Sequence, residues 1–350
     1  MTYLLTSQKD EIPVEPTSPF EGSSTELTLT AIMPTLDTPL PENKSAIWCL
    51  SFQMAWNELQ TLLKKEPIRL ANASETVRRL NEARFSRDSL VPEMYYSTAG
   101  FMRDGIGSRI HEEMKRSFPS VKVPSFGVED AIIAYAYLEA QIGFNLPYFE
   151  DHLLFADTEG KETKVRAFGI RNQDFNGMRQ LRDQAELLFA MGQFEQLTEF
   201  GIDLCKLSEP HQIVVAMVQK KGSLADTFAY VQDRIKDSQN RPAHDRRLGM
   251  GDRLLVPTMN WKIDHRFSDL ERVPLQNDSA KGLYIDQAFQ TIRFRLDKGG
   301  ADLKSDAGIR AKSESRMYHF DRPYLLYMKK RGSNEPFLVM WVDNAELMIK

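Results

Sequence analysis

"YHFDRPYLLYM", residues 318–328, reads as an apolar strand with an acid, a base and a proline set in its midst. Tyr318, Phe320, Tyr324, Leu325, Leu326, Tyr327 and Met328 suit a buried sheet, whereas Asp321, Arg322 and Pro323 interrupt it. Proline has no amide hydrogen for a ladder and is kept to strand starts, edges and bulges. The stretch therefore predicts an entry turn followed by a buried strand, "PYLLYMKK". A second apolar run, "PFLVMWVD", follows the polar turn "RGSNE". Together they predict a hairpin buried in a large mixed sheet.

Moving upstream, "HQIVVAMV" at 211–218 reads as a strand and "SLADTFAYVQDRI" at 223–235 as a helix, with Ser223 and Asp226 at capping positions. "HLLFAD" and "KVRAFGI" form a predicted hairpin about "TEGKE", and "DRLLVPTMNWKID" and "YIDQAFQTIRFRL" read as strands. "EDAIIAYAYLEAQIGF" at 129–144 fits either a helix or a central strand. Trp48, Phe52, Ala55, Trp56, Leu59, Leu62 and Leu63 recur at helical spacing and predict a long amphipathic helix from Ala46. Ser74 caps a shorter predicted helix, and 93–117 reads as a helix broken near "RDGIGSR". Residues 1–42 hold six prolines and a Ser/Thr/Glu-rich stretch, which predicts a flexible arm ahead of a single domain over 43–350. Helices lead and strands follow, so the fold class is α+β.

The chain has 350 residues, 42% hydrophobic and 27% charged, enough for a sizeable core. A net charge of −4 gives no electrostatic reason to expect nucleic acid or an anionic membrane as partner. Cys49 and Cys205 each lie in an apolar stretch and read as buried free thiols. No basic leader and no run of membrane-spanning length is visible, so a cytoplasmic monomer is expected. The six histidines are scattered, and "GIG" and "GMG" lack the context of a nucleotide fold. Nothing points to an enzyme, and no cofactor or metal is expected.

The opening stretch resembles the signature near the carboxyl end of serpins: Tyr318, Phe320, Asp321, Arg322, Pro323, Leu325, Leu326 and Met328 fit it, with Tyr324 where that family has phenylalanine. "WCLSFQMAW" is similar to the family's first long helix and the strand entering it. "DKGGA" resembles the hinge that opens its reactive-centre loop. The resemblance covers roughly 46–63 and 129–345. It implies N-terminal helices packed on large mixed sheets, with an exposed loop at about 300–317 anchored by Phe320, Asp321, Arg322 and Pro323. It also implies a function: bait for a serine or cysteine protease, cleaved and then inserted as a new strand into the main sheet.

Insertion demands that alternate hinge residues be small or apolar. With Gly300 as the hinge glycine, Ala301, Leu303, Ser305 and Ala307 face inward and Asp302, Lys304 and Asp306 outward. With Gly299 in that role, the three charges would be buried unpaired. Ile292, Phe294 and Leu296 facing inward match the family only in the Gly300 register. The expected bait is basic: Lys312 first, then Arg310 or Arg316. At the positions that control sheet opening in the family, Ser51 is kept, Gln53 replaces a serine and Ala134 an asparagine. Those changes leave open an alternative, a non-inhibitory serpin-fold binding protein whose loop does not insert.

Overall fold

The computed structural model describes residues 20–126, 131–141, 143–171, 176–193, 196–240, 246–299 and 316–350. Sixteen strands form three sheets, with five α-helices, among the described residues. The first strands are β1 (Phe20–Ser23), β2 (Thr30–Ile32) and β3 (Ser45–Cys49), then helices α1 (Leu50–Leu62) and α2 (Glu75–Glu82). Next come β4 (Tyr95–Phe101), α3 (Ile106–Ser117), β5 (Ile132–Gln141), β6 (Phe149–Ala156), β7 (Glu162–Ile170) and α4 (Asn176–Gln184). After them lie β8 (Glu186–Gln193), β9 (Gln196–Asp203), β10 (His211–Met217) and α5 (Leu224–Ser238). The chain ends with β11 (Arg253–Pro257), β12 (Met259–Arg266), β13 (Ile285–Leu296), β14 (Met317–His319), β15 (Tyr324–Lys330) and β16 (Pro336–Val342).

The seven-stranded sheet runs β2-β3-β16-β15-β10-β9-β8. Its centre is the hairpin expected from the sequence: Tyr324 pairs with Val342 and Leu326 with Met340, and every residue of β16 is buried. The five-stranded sheet runs β1-β12-β13-β5-β4, and the four-stranded sheet β14-β11-β7-β6. Helix α1 packs on β4, β5 and β16, joining the two larger sheets. In the smallest sheet β7 and β11 approach so closely that a Cβ on Gly169 would lie 1.8 Å from the Leu254 carbonyl oxygen. Only glycine fits there.

Two expectations change and one open alternative is resolved. Residues 45–49 are a strand, and the helix begins only at Leu50; the β-branched Ile47 and aromatic Trp48 suit the buried ladder with β16. Residues 95–101 pair with β5 as an edge strand, so the helix of that region starts after Gly105, whose φ of 75° ends the preceding turn. The ambiguous run at 129–144 holds a strand, β5, between β13 and β4 in the five-stranded sheet.

The expected flexible arm is also corrected over its described part. Residues 20–42 pack on the body: β1 pairs with β12, β2 pairs with β3, and Ile32, Met33 and Leu36 enter the core. Proline and serine content concealed these apolar anchors. No helix among the described residues is long and apolar enough to cross a membrane.

Candidate functional site

Strands β13 and β5 form a parallel seam within the five-stranded sheet, in register from Gln287/Ile133 to Arg295/Gln141, with a bulge between Ile285 and Gln287. Their outer neighbours, β12 and β4, are both antiparallel to them. On the inner face Ala288, Gln290, Ile292, Phe294 and Leu296 of β13 are buried, as the alternation predicts. Ala134 is fully buried and sits between Ala99 and Ala288 of the adjacent strands.

One polar side chain breaks this inner apolar row. Gln290 Nε2 donates to Ser51 Oγ at 2.9 Å and to the Cys49 carbonyl oxygen at 3.2 Å. It ties the seam to the junction of β3 and α1. Ser51 Oγ and Cys49 Sγ are 3.2 Å apart, and burial pushes the Cys49 thiol up to about 11. That thiol stays protonated and is a packing group, not a nucleophile. Gln53 lies elsewhere: its Nε2 donates to Asn57 Oδ1 and to the Leu80 carbonyl, both at 2.9 Å, joining α1 to α2. Ser51 thus meets the seam and Gln53 does not. Gln290 went unnoticed in the sequence, although a lone glutamine at an inward position of an apolar strand was the available signal.

The outer face of the seam is covered. Ile106, Ile110 and Met114 of α3 pack on Ile133, Tyr135 and Tyr137 of β5. Across the seam, Tyr135 stacks on Phe289 with ring centroids 6.1 Å apart and planes 8° from parallel. Parting β13 from β5 therefore breaks the aromatic stack, and any shift of β13 away from the start of α1 also breaks the Gln290 bond to Ser51.

Past Leu296 the chain turns. Asp297 Oδ1 accepts the Gly299 N–H at 2.9 Å, and Gly299 takes φ 37° against Phe144. The remaining hinge positions Gly300, Ala301, Leu303, Ser305 and Ala307, and the bait positions Arg310 and Lys312, lie outside the described residues. The description resumes at Arg316. Its Nη2 lies 2.7 Å from Asp252 Oδ2, its amide donates to Asp252 Oδ1 at 3.0 Å, and its carbonyl accepts Arg253 N–H at 3.0 Å. Arg316 is an anchor held by a buried carboxylate, which argues against its use as bait.

Beyond Arg316 the Asp-Arg-Pro corner carries the chain from one sheet to another. Strand β14 pairs with β11 in the four-stranded sheet, and β15 lies in the seven-stranded one. Phe320 is fully buried, its amide donates to the Leu255 carbonyl, and its ring packs on Phe200 and Tyr324 at 5.1 and 5.2 Å. The Asp321 carbonyl accepts Ala156 N–H at 2.8 Å. Arg322 pairs with Asp321 at 3.3 Å and reaches the Leu197 carbonyl at 3.4 Å. Pro323 sits just before β15, where a strand start tolerates a missing donor. The four residues span the passage from β14 to β15.

Among the described residues no group of three or more His, Cys, Asp or Glu is placed to hold a metal ion. Burial lowers the affinity of His211 and His319 for a proton and raises the Cys205 thiol pKa.

No protein-family model matches the sequence, and no curated protein matches it. The solved structures do match. The fold is similar to tengpin, a thermophilic serpin in its native state, at a TM-score of 0.51 and 10% identity over 88% of this chain and 90% of that one. It is similar to uncleaved ovalbumin at a TM-score of 0.51 and 9% identity over 87% and 94%. Both likenesses span most of either chain, and the chain has a serpin fold.

Proposed function

We propose that this chain inhibits a serine or cysteine protease, with residues 300–315 as bait and the β13/β5 seam as the place where the cleaved segment inserts. One observation carries the reading. The seam is the parallel join of a sheet whose flanking pairs are antiparallel, and the bait segment leaves from the end of β13 through a left-handed glycine turn. A strand returning through that turn would run antiparallel to both walls. One parallel pairing would be replaced by two antiparallel ones, which are slightly more stable per residue. Each added ladder hydrogen bond contributes about 1 kcal/mol, and burying Leu303 adds about 1.5–3 kcal/mol.

With Arg316 engaged by Asp252, the basic bait falls to Lys312, with Arg310 as alternate, so the target class is a protease that cuts after Lys or Arg. The protease's serine or cysteine attacks the Lys312 carbonyl, the peptide bond to Ser313 breaks with its nitrogen leaving as a protonated amine, and insertion then carries the acylated protease with it before hydrolysis. Cleavage should raise the melting temperature clearly, and Ala301→Arg should abolish the rise by placing an unpaired charge inside. Equal melting temperatures before and after cleavage would remove insertion from the account.

A second reading, a binding protein whose loop does not insert, is favoured by the closed seam itself. The Gln290 bond and the α3 cover both raise the cost of opening.

A further inference from the structure

Residues 20–32 cross from one large sheet to the other. At one end β1 lies parallel on the outer edge of β12, with Phe20 opposite Trp261 and Gly22 opposite Ile263. At the other end β2 lies parallel on β3, with Thr30 opposite Ser45 and Ile32 opposite Ile47. The turn between them is fastened at both sides. Ser23 and Glu26 form a reciprocal capping box, and Ser24 Oγ lies 2.7 Å from His265 Nδ1 on β12. Glu346, from the last residues of the chain, accepts Thr28 N–H at 2.8 Å and Leu29 N–H at 3.1 Å. The Leu29 carbonyl accepts Ser45 N–H and Asn344 Nδ2, each at 2.8 Å.

These contacts tie the β12–β13 half of the five-stranded sheet to β3 and to the carboxyl-terminal residues. The seam is the inner border of that half. Admitting a strand there means separating its walls by roughly one strand spacing, about 4.8 Å. If β12 and β13 move outward, the ladder to β1 and the Glu346 contacts must stretch or break, because β2 is fixed in the other sheet.

We propose that residues 20–32 are a strap that restrains opening of the β13/β5 seam. The hold itself does not depend on whether the bait segment inserts. Its consequence for inhibition does rest on the function proposed above.

Hydrogen exchange on the full chain tests the strap, comparing the wild type with Glu346→Gln and Ser24→Ala. Glu346→Gln weakens the acceptor of two backbone donors, and Ser24→Ala removes a single side-chain hydrogen bond. The second therefore reads the same effect if the first fails to fold. Amides of β13 and β5 at the seam should exchange about tenfold faster in Glu346→Gln and a few-fold faster in Ser24→Ala, through local opening. Those of β9 and β10, far from the strap, should keep wild-type rates. Faster exchange confined to 20–32 would overturn the proposal, as would an equal rise in β9 and β10, which marks general loss of stability. Melting of the protease-cleaved variants forms a separate arm. No upward shift there, alongside a loosened seam, would contradict insertion and leave the strap standing.

Discussion

Asp252 holds Arg316 by side chain and backbone at once, with its Oδ2 2.7 Å from Nη2 and its Oδ1 3.0 Å from the amide. The two partners differ in their freedom. The Asp252 side chain is 2% exposed, and that of Arg316 22%. Arg316→Met therefore removes the cationic partner of a buried carboxylate, leaving the amides of residue 316 and Gly249 to hold it, and should cost about 3 kcal/mol. Asp252→Asn leaves a guanidinium that can turn to water, and should cost about 1 kcal/mol. Urea unfolding of both variants measures the asymmetry; equal losses would contradict it.

Gln290→Leu removes the two hydrogen bonds to Ser51 and Cys49 while keeping side-chain volume. It should lower stability by about 1–2 kcal/mol in a denaturant titration. The same change should speed capture of a protease, because the seam then opens more easily. A destabilised variant with an unchanged capture rate would separate Gln290 from the opening step.

Tyr324 is wholly buried, and among the described residues its hydroxyl has no hydrogen-bond partner. Tyr324→Phe removes a desolvated polar group and should stabilise the fold by about 1–2 kcal/mol. Tyr327, three residues along β15 on its other face, is the control. Its hydroxyl accepts Gln232 Nε2 at 3.0 Å, so Tyr327→Phe should be neutral or cost about 1 kcal/mol. Chemical denaturation of the pair should give opposite signs.

His265 gives the fold an acid limit. Burial pushes it down from 6.5 to about 4, beside Ser24 and against the Phe267 ring. The unfolded chain takes up this proton first, so the contribution is whole above pH 6.5 and is lost as pH falls toward 4. The full loss is about 3 kcal/mol. Comparing stability against pH for the wild type and His265→Gln isolates it. Parallel curves for the two proteins between pH 7 and 4 would contradict the assignment.

The hairpin at the centre of the seven-stranded sheet was legible because its strands announce themselves. "PYLLYM" and "PFLVMWV" are continuous apolar runs, and Pro323 marks where one begins. Strand β4 was not. Its residues, "YYSTAGF", alternate little and are mostly half-buried at a sheet edge, where neither period dominates. Trp48 was assigned to helix because its spacing to Phe52 and Trp56 is helical, yet it belongs to β3 and is buried by pairing with Val339. At the site, the corner Phe320–Pro323 stood out because two charges and a proline interrupt an apolar run. Gln290, Asp252 and Glu346 were not, since each acts on a partner distant in sequence: Ser51, Arg316 and Leu29.

The central claim is that cleavage of the bait segment traps the protease. Mixing the chain with a trypsin-like serine protease and running the mixture on a denaturing gel tests it directly, with residual protease activity followed in parallel. The account predicts a complex that survives denaturant, loss of protease activity, and a released carboxyl-terminal fragment beginning just after Lys312 or Arg310. Ala301→Arg should be cut at the same bond without forming the complex. A chain nicked at Lys312 or Arg310 beside a fully active protease, with no complex at any ratio, would contradict the trap and leave the binding role in its place.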